Sequence, residues 1–272
     1  MPRIEKHPAG SFCWVELATS DQPAAKKFYT SLFGWSADDM PMGPDDFYTM
    51  FRLEGRDAGA AYTLRAEQRE RGVPPHWNLY VAVENADAAV ERATSLGGKA
   101  LGPAFDVFDA GRMANIQDPT GAMIAVWEAK RHTGVGITGV HGTLAAADLS
   151  TPDQNRAAEF YSGLFGWRIG KEDEHPEHAY FHLFNGEKYI GGILPPAARS
   201  PHEPPHWQIY FTVTDCGAAA SKAKAIGGRI YMPPTVIEDI GRMAVLADPQ
   251  GASFSLFQAT EHLLYEVSGG EA

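Results

Sequence analysis

The sequence predicts an α+β fold laid down twice, as two tandem domains at about 1–133 and 134–272. Three observations lead there. The octet "FYTSLFGW" at Phe28–Trp35 returns as "FYSGLFGW" at Phe160–Trp167, with six of eight letters kept after a shift of 132. "PPHWNLY" from Pro74 and "GRMANIQDPTGA" from Gly111 return as "PPHWQIY" from Pro204 and "GRMAVLADPQGA" from Gly241, both at a shift of 130. Within each repeat, stretches with helical apolar spacing alternate with short β-prone runs. A period this long is domain duplication and not a solenoid. The Gly-rich stretch "AKRHTGVGITGV" between the copies reads as a linker.

Each repeat opens with a strand, "CWVELA" from Cys13 in the first. A helix follows, because Ala25, Phe28, Tyr29, Leu32 and Phe33 form one apolar stripe. Asp21 is placed to cap its start, with Pro23 in the first turn. Gly34 can take the left-handed conformation that ends it, and Trp35 can fold back on the last turn. The octet is thus first a helix stop and a core element. The runs "FYTMFRL" and "GAAYTL" then read as strands, and "HWNLYVAV" from His76 opens a second unit. Its helix carries Ala86, Ala89, Val90, Ala93 and Leu96, matched by Cys216, Ala219, Ala220, Ala223 and Ile226. Both series stop at Gly-Gly. "GRMANIQ" and "AMIAVWE" close the unit as strands, so every repeat reads strand, helix, strands, twice over.

The chain has 272 residues and a formal net charge of -11, from 23 basic against 34 acidic side chains. That balance argues against nucleic acid and anionic membrane as partners, since both call for basic surface. The N-terminal "MPRIEKHPAG" lacks the apolar core of a signal peptide, and no apolar run approaches a membrane span. The expectation is a cytoplasmic protein. Cys13 and Cys216 occupy unmatched places in the repeats, so they read as small buried hydrophobes and not as a disulfide.

"VELATSDQPAAKKFYTSLFGW" resembles the opening unit of the vicinal oxygen chelate superfamily, which includes glyoxalase I, bleomycin-resistance proteins and extradiol dioxygenases. "VAVENADAAVERATSLGGK" with "DPTGAMIAVWE" is similar to its second unit, and the resemblance covers nearly the whole chain, twice. It implies two glyoxalase-like domains, each a pair of βαβββ units. Their mostly antiparallel sheet would curl into a cup, with helices outside and a ligand inside.

Strand alternation sorts side chains independently of any family. In "HWNLYVAV", Trp77, Leu79, Val81 and Val83 share the face that covers the helix, leaving His76, Asn78 and Tyr80 for the cup. The second repeat leaves His206, Gln208 and Tyr210. On the opening strand Cys13, Val15 and Leu17 should cover the helix, with Trp14 and Glu16 facing inward; Ala146 and Asp148 match them. Convergent polar groups in an apolar concavity suit a small-molecule site, though they also suit a hydrogen-bonded cluster that merely steadies the sheet. A buried carboxylate needs partners. His76 and Asn78 are the expected ones for Glu16, and His206 and Gln208 for Asp148.

The resemblance also implies where a metal would be held. In the first repeat the positions are Trp14, Asn78, Ala125 and one near Ala60 or Ala61; in the second they are Ala146, Gln208, Ser255 and one near Gly192. These side chains supply too few donors for a catalytic divalent ion. His175, His178 and His182 cluster in "EHPEHAYFH", which reads as a loop entering a strand. No metal and no other cofactor is expected.

The leading functional expectation is a metal-independent small-molecule-binding protein of the bleomycin-resistance type, holding a metabolite or antibiotic-like ligand. Trp14, Glu16, His76, Asn78, Tyr80, Asp148, His206, Gln208 and Tyr210 would line the two cups. The carboxylates could meet a ligand ammonium, and the aromatic rings offer π-faces to a cation. Arg112 and Arg242 could meet a ligand carboxylate or form ordinary ion pairs. One alternative is an enzyme of lyase, isomerase or hydroxylase type with Glu16 or Asp148 as base and His76 or His206 as acid. Another is a scaffold with vestigial cups. A monomer is expected, because duplication supplies internally the pairing that shorter relatives obtain by dimerising.

Overall fold

The computed structural model describes residues 4–44, 46–171, 179–200 and 202–260. The first repeat runs β1 (Phe12–Thr19), α1 (Gln22–Phe33), β2 (Ser36–Gly43), β3 (Asp46–Leu53) and β4 (Arg56–Thr63). After a short helix, α2 (Ala66–Glu70), come β5 (His76–Ala82), α3 (Ala86–Ser95), β6 (Lys99–Ala100), β7 (Phe105–Val107), β8 (Gly111–Gln117) and β9 (Met123–Ala129). The second repeat runs β10 (Leu144–Ser150), α4 (Gln154–Phe165), β11 (Arg168–Lys171), β12 (Phe181–Asn185) and β13 (Lys188–Ile193). It ends with β14 (His206–Thr212), α5 (Cys216–Ala225), β15 (Arg229–Ile237), β16 (Gly241–Ala247) and β17 (Ser253–Ala259). None of these helices is long and apolar enough to cross a membrane.

The local signals act as the residues dictate. The Asp21 side chain accepts the Ala24 N–H, and Gly34 ends α1 in the left-handed region at φ 74°. Asp153 and Gly166 repeat both devices around α4. Each repeat forms one open, mixed sheet. Their strand orders are β2-β3-β4-β1-β5-β9-β8-β6, with β7 also on β8, and β11-β12-β13-β10-β14-β17-β16-β15. Most pairs are antiparallel, while β1 with β4, β5 with β9, β10 with β13 and β14 with β17 run parallel. The antiparallel contact of β1 with β5 joins the two βαβββ units, and β10 with β14 does the same in the second repeat.

One expected face assignment is corrected. Cys13 does not cover the helix; it belongs to the cluster on the cup side, while Phe12 joins the helix-side core. A register shift between Phe12 and Trp14 interrupts the alternation, and an irregularity there turns the flanking side chains to the opposite faces. Val15 and Leu17 do lie in the helix-side core.

The helices cover the backs of the cups, and those backs meet. A single apolar core draws from the helix side of both sheets: Val15, Leu79 and Val126 from one, Leu149, Ile209 and Phe254 from the other. The octet explains why. Trp35 donates its indole N–H to the Gly142 carbonyl of the second repeat at 2.9 Å, and Trp167 donates to Gly10 of the first at 2.7 Å. Phe33 packs at a tilt against Phe211, with ring centroids 5.0 Å apart. The second glycine of each Gly-Gly stop is needed for this approach. A Cβ on Gly98 would stand 2.7 Å from the Phe160 ring, and one on Gly228 3.2 Å from Phe28. Each octet therefore completes the core of the other repeat.

The linker is packed and not an open tether. Val135 and Ile137 are fully buried. The Val135 N–H reaches the Cys13 carbonyl at 2.8 Å, and the Gly136 N–H reaches Asp57 at 2.7 Å.

Candidate functional site

The face of each sheet turned away from the shared core carries one carboxyl between two phenols. In the first cup β1 presents Glu16, β5 presents Tyr80 and β3 presents Tyr48. Tyr80 donates to Glu16 Oε1 at 2.6 Å and Tyr48 to Oε2 at 2.8 Å. In the second cup Tyr180, just before β12, donates to Asp148 Oδ1 at 2.7 Å, and Tyr210 of β14 donates to Oδ2 at 2.8 Å. Asp148 is only 6% exposed. Burial raises both carboxyl groups above their ordinary range, opposed in part by the phenol hydrogen bonds. Burial and the neighbouring carboxylate together push all four phenols well up, so they stay protonated donors at neutral pH.

This arrangement corrects the expected partners. His76 and Asn78 are not what satisfies Glu16. The His76 ring turns to the Pro74 carbonyl at 2.8 Å and to Asn78 Oδ1 at 3.2 Å. Nor do His206 and Gln208 satisfy Asp148. His206 contacts Pro204 at 3.0 Å and Gln208 bridges Ser253 and Ser255, both at 3.0 Å. The physical reason is reach: one phenol comes from the adjoining strand and the other crosses an intervening strand to the carboxyl, whereas each imidazole is held by the carbonyl two residues before it. Tyr80 and Tyr210 are thus the members of the expected sets that meet the carboxyl groups. Tyr48 and Tyr180 were missed, although both sit at one place in the repeat, 132 apart, in "FYTMF" and "AYFHLF".

Trp14 fills the first cup. It is 4% exposed, donates to the Tyr48 hydroxyl at 3.1 Å and stands edge-on to His132 at 4.4 Å. Met50, Met113, Trp127 and Val135 are buried in the same cluster. At the matching position of the second cup is Ala146, half-buried. There Tyr180 pairs instead with the Tyr189 hydroxyl at 2.8 Å, and Tyr189 is 39% exposed.

The residues at the family's metal positions do not fit a divalent ion. Ala60, opposite Glu16 in register, lies on the cup side, while Ala61 lies in the helix-side core. Trp14, Ala60 and Ala125 offer no donor, and the Asn78 amide is spent on His76 and, at 3.4 Å, on Tyr62. In the second cup Ala146 and Gly192 have none, and Gln208 and Ser255 bond each other. Among the described residues no three His, Cys, Asp or Glu side chains gather closely enough to hold a metal. His175 and His178 lie outside the described residues; His182 faces Tyr180 with ring centroids 4.8 Å apart.

Other candidate groups are structural. Arg112 binds Asp87 at 2.8 Å, Asp106 at 3.4 Å and the Ala104 carbonyl at 2.8 Å, an ordinary ion-pair cluster. Burial raises the Cys13 thiol strongly and pushes Cys216 up to about 11, so neither is a thiolate nucleophile at neutral pH. Two clefts of about 330 and 380 Å³ lie on the helix side, one along α4 and one between α1 and α5, away from both carboxyl groups.

The comparisons with known proteins agree with this architecture. The model of the glyoxalase/bleomycin resistance protein/dioxygenase superfamily matches residues 11–126 and again 143–256. A Mycobacterium tuberculosis protein named as a glyoxylase, CFP32, is 42% identical over 259 residues, covering 95% of this chain and 98% of that protein. The anthracycline biosynthesis protein DnrV of Streptomyces peucetius is 30% identical over 274 residues, covering 97% and 98% of the two chains. Among solved structures, the Mn(II)-bound glyoxalase of Novosphingobium aromaticivorans superposes with a TM-score of 0.65 at 16% identity, over 92% of this chain and 82% of that one. With both repeats matched by the family model and full-length relatives above 30% identity, the chain belongs to the glyoxalase/bleomycin resistance protein/dioxygenase superfamily.

Proposed function

We propose that this chain is a metal-independent small-molecule-binding protein whose ligand sits in the sheet cup. The observation that carries this reading is the pairing of each carboxyl with two phenols, where Glu16 and Asp148 each take a hydroxyl on both oxygens. A carboxyl satisfied in this way needs no metal or ligand cation to be stable. It forms a fixed polar spot on the cup face, and a small number of fixed polar groups is how a binding site orients a small molecule. The acid–base pairing of Glu16 with His76, or Asp148 with His206, lacks support, because each imidazole is hydrogen-bonded near its own strand start.

A second reading, turnover in the same cup, is favoured by the position of Asp148, a carboxyl on the cup face that burial raises above its ordinary range and so toward a proton-transfer role. The names of the relatives, a glyoxylase and an anthracycline biosynthesis protein, favour it too. Native mass spectrometry of freshly purified protein tests the first reading. A retained small molecule is expected, and Asp148→Asn should weaken its retention by about tenfold. Chemical conversion of that molecule on incubation would favour the second reading. A protein that never carries a molecule, and whose Asp148→Asn variant behaves as wild type, would overturn both.

A further inference from the structure

The two cups share a carboxyl flanked by two phenols, and the exchange of Trp14 for Ala146 changes side-chain size most between them. Trp14 pairs in register with Tyr80, and its counterpart Ala146 pairs with Tyr210. In the first cup the indole is buried, with its N–H on the Tyr48 oxygen at 3.1 Å and its ring against His132. Its surroundings close over it: Met50, Met113 and Trp127 are all buried. The matching residues of the second cup, His182, Met243 and Phe257, are only half-buried, as is Ala146 itself. The same cup is thus packed around an aromatic side chain in one repeat, while among the described residues of the other these positions stay half-buried.

We infer that Trp14 is a built-in occupant of the first cup, and that the second cup receives from outside the group that the first carries covalently. This rests on the binding reading above and deepens it. The ligand class is a planar aromatic molecule of indole size or larger with a polar edge, bound once per chain, over Ala146. The apolar flanks come from Met243 and Phe257, which stand where Met113 and Trp127 pack in the first cup. The polar edge meets the paired hydroxyls of Tyr180 and Tyr189, 2.8 Å apart, of which Tyr180 occupies the place of Tyr48 and is fixed by Asp148 at 2.7 Å. An aromatic ring suits such a slot because it brings a large apolar area on few rotatable bonds. A small aliphatic ligand would leave the slot unfilled, and voids forfeit contact energy.

The probe is 5-fluoroindole, followed by ¹⁹F NMR titration against the full chain. Saturable binding at one site per chain is expected. Ala146→Trp should weaken it by at least about tenfold by supplying the occupant covalently. Ala146→Met should act in the same direction with less demand on packing, and carries the test if the tryptophan variant does not fold. Trp14→Ala should add a second site. Absence of saturable binding to the wild type, or undiminished binding in folded Ala146→Trp and Ala146→Met, overturns the inference. If the wild type ignores 5-fluoroindole while Asp148→Asn still strips the co-purifying molecule, the aromatic class falls and the cup reading stands.

Discussion

The Tyr161 hydroxyl donates to the Asp118 carboxylate of the other repeat at 2.9 Å, and at the same time accepts the Trp207 indole N–H at 3.1 Å. The mirror relay runs from Trp77 through Tyr29 to Asp248, at 3.0 and 3.2 Å. Asp118 is held in place by the backbone N–H groups of Thr120, Gly121 and Ala122, all on its other oxygen. The "DPTGA" and "DPQGA" turns are therefore rigid acceptors aimed at the opposite octet.

Removing one hydroxyl tests this relay. Tyr161→Phe keeps the ring in the core but leaves a buried indole N–H without its acceptor and a carboxylate oxygen without its donor. The expected loss is about 1–3 kcal/mol of unfolding free energy, with a similar loss for Tyr29→Phe. Urea denaturation followed by tryptophan fluorescence measures both. Values near zero would mean that water replaces the phenol.

Much of this was legible in the residues. Asp21, Pro23 and Gly34 announced α1 because caps are local chemistry, readable over a few positions. The duplication was legible from "PPHWNLY" and "GRMANIQDPTGA", and with it the fold class. Long-range partners were not. Nothing local in "FYTSLFGW" says that Trp35 reaches Gly142, or that Phe28 needs Gly228, because those contacts depend on how two domains dock. The partners of Glu16 were misread for a related reason. Alternation places a side chain on a face, but Tyr48 and His76 share that face, and the long-range reach of the phenol and the Pro74 carbonyl that holds the imidazole decide which one arrives.

The docking also bears on assembly. Each repeat buries its helix side against the other, with Phe33, Trp77, Phe211 and Phe254 in one aromatic cluster. Pairing of this kind within one chain covers the helix side of both repeats. The expected species in solution is a monomer of 29.6 kDa. Light scattering across a range of concentrations checks this, and a constant mass of twice that value would refute it.

Elemental analysis provides a separate check on the metal positions. With Trp14, Ala60 and Ala125 in one cup, and Ala146, Gly192 and Ser255 in the other, the donors number too few for tight binding. Purified protein should carry well under one zinc, iron or manganese per domain. Chelation should leave its melting temperature unchanged. A stoichiometric ion removed by chelator with a fall in melting temperature would place a metal site elsewhere in the chain.

The buried carboxyl of the second cup makes a pH prediction with a definite sign. Burial holds the Asp148 carboxyl above its ordinary value of 3.8, against the opposing hydrogen bonds of Tyr180 and Tyr210. An acid raised in this way keeps its proton longer in the folded chain than in the unfolded one. Between the two values the folded state binds more protons, so stability falls as pH rises. This contribution is full below the unfolded value and is lost as pH climbs through the folded value. Asp148→Asn cannot ionise and escapes the loss. Other groups also titrate, so the informative quantity is the difference between variant and wild type. That difference should move in favour of the variant as pH rises from about 4, then level off once the wild-type carboxyl has ionised. Urea midpoints taken at intervals up to pH 8 would trace it. A difference moving the opposite way would mean that the two phenols outweigh burial and hold Asp148 as a stabilised anion. The cup floor would then carry a permanent negative charge, and a ligand with a cationic edge would replace the neutral one.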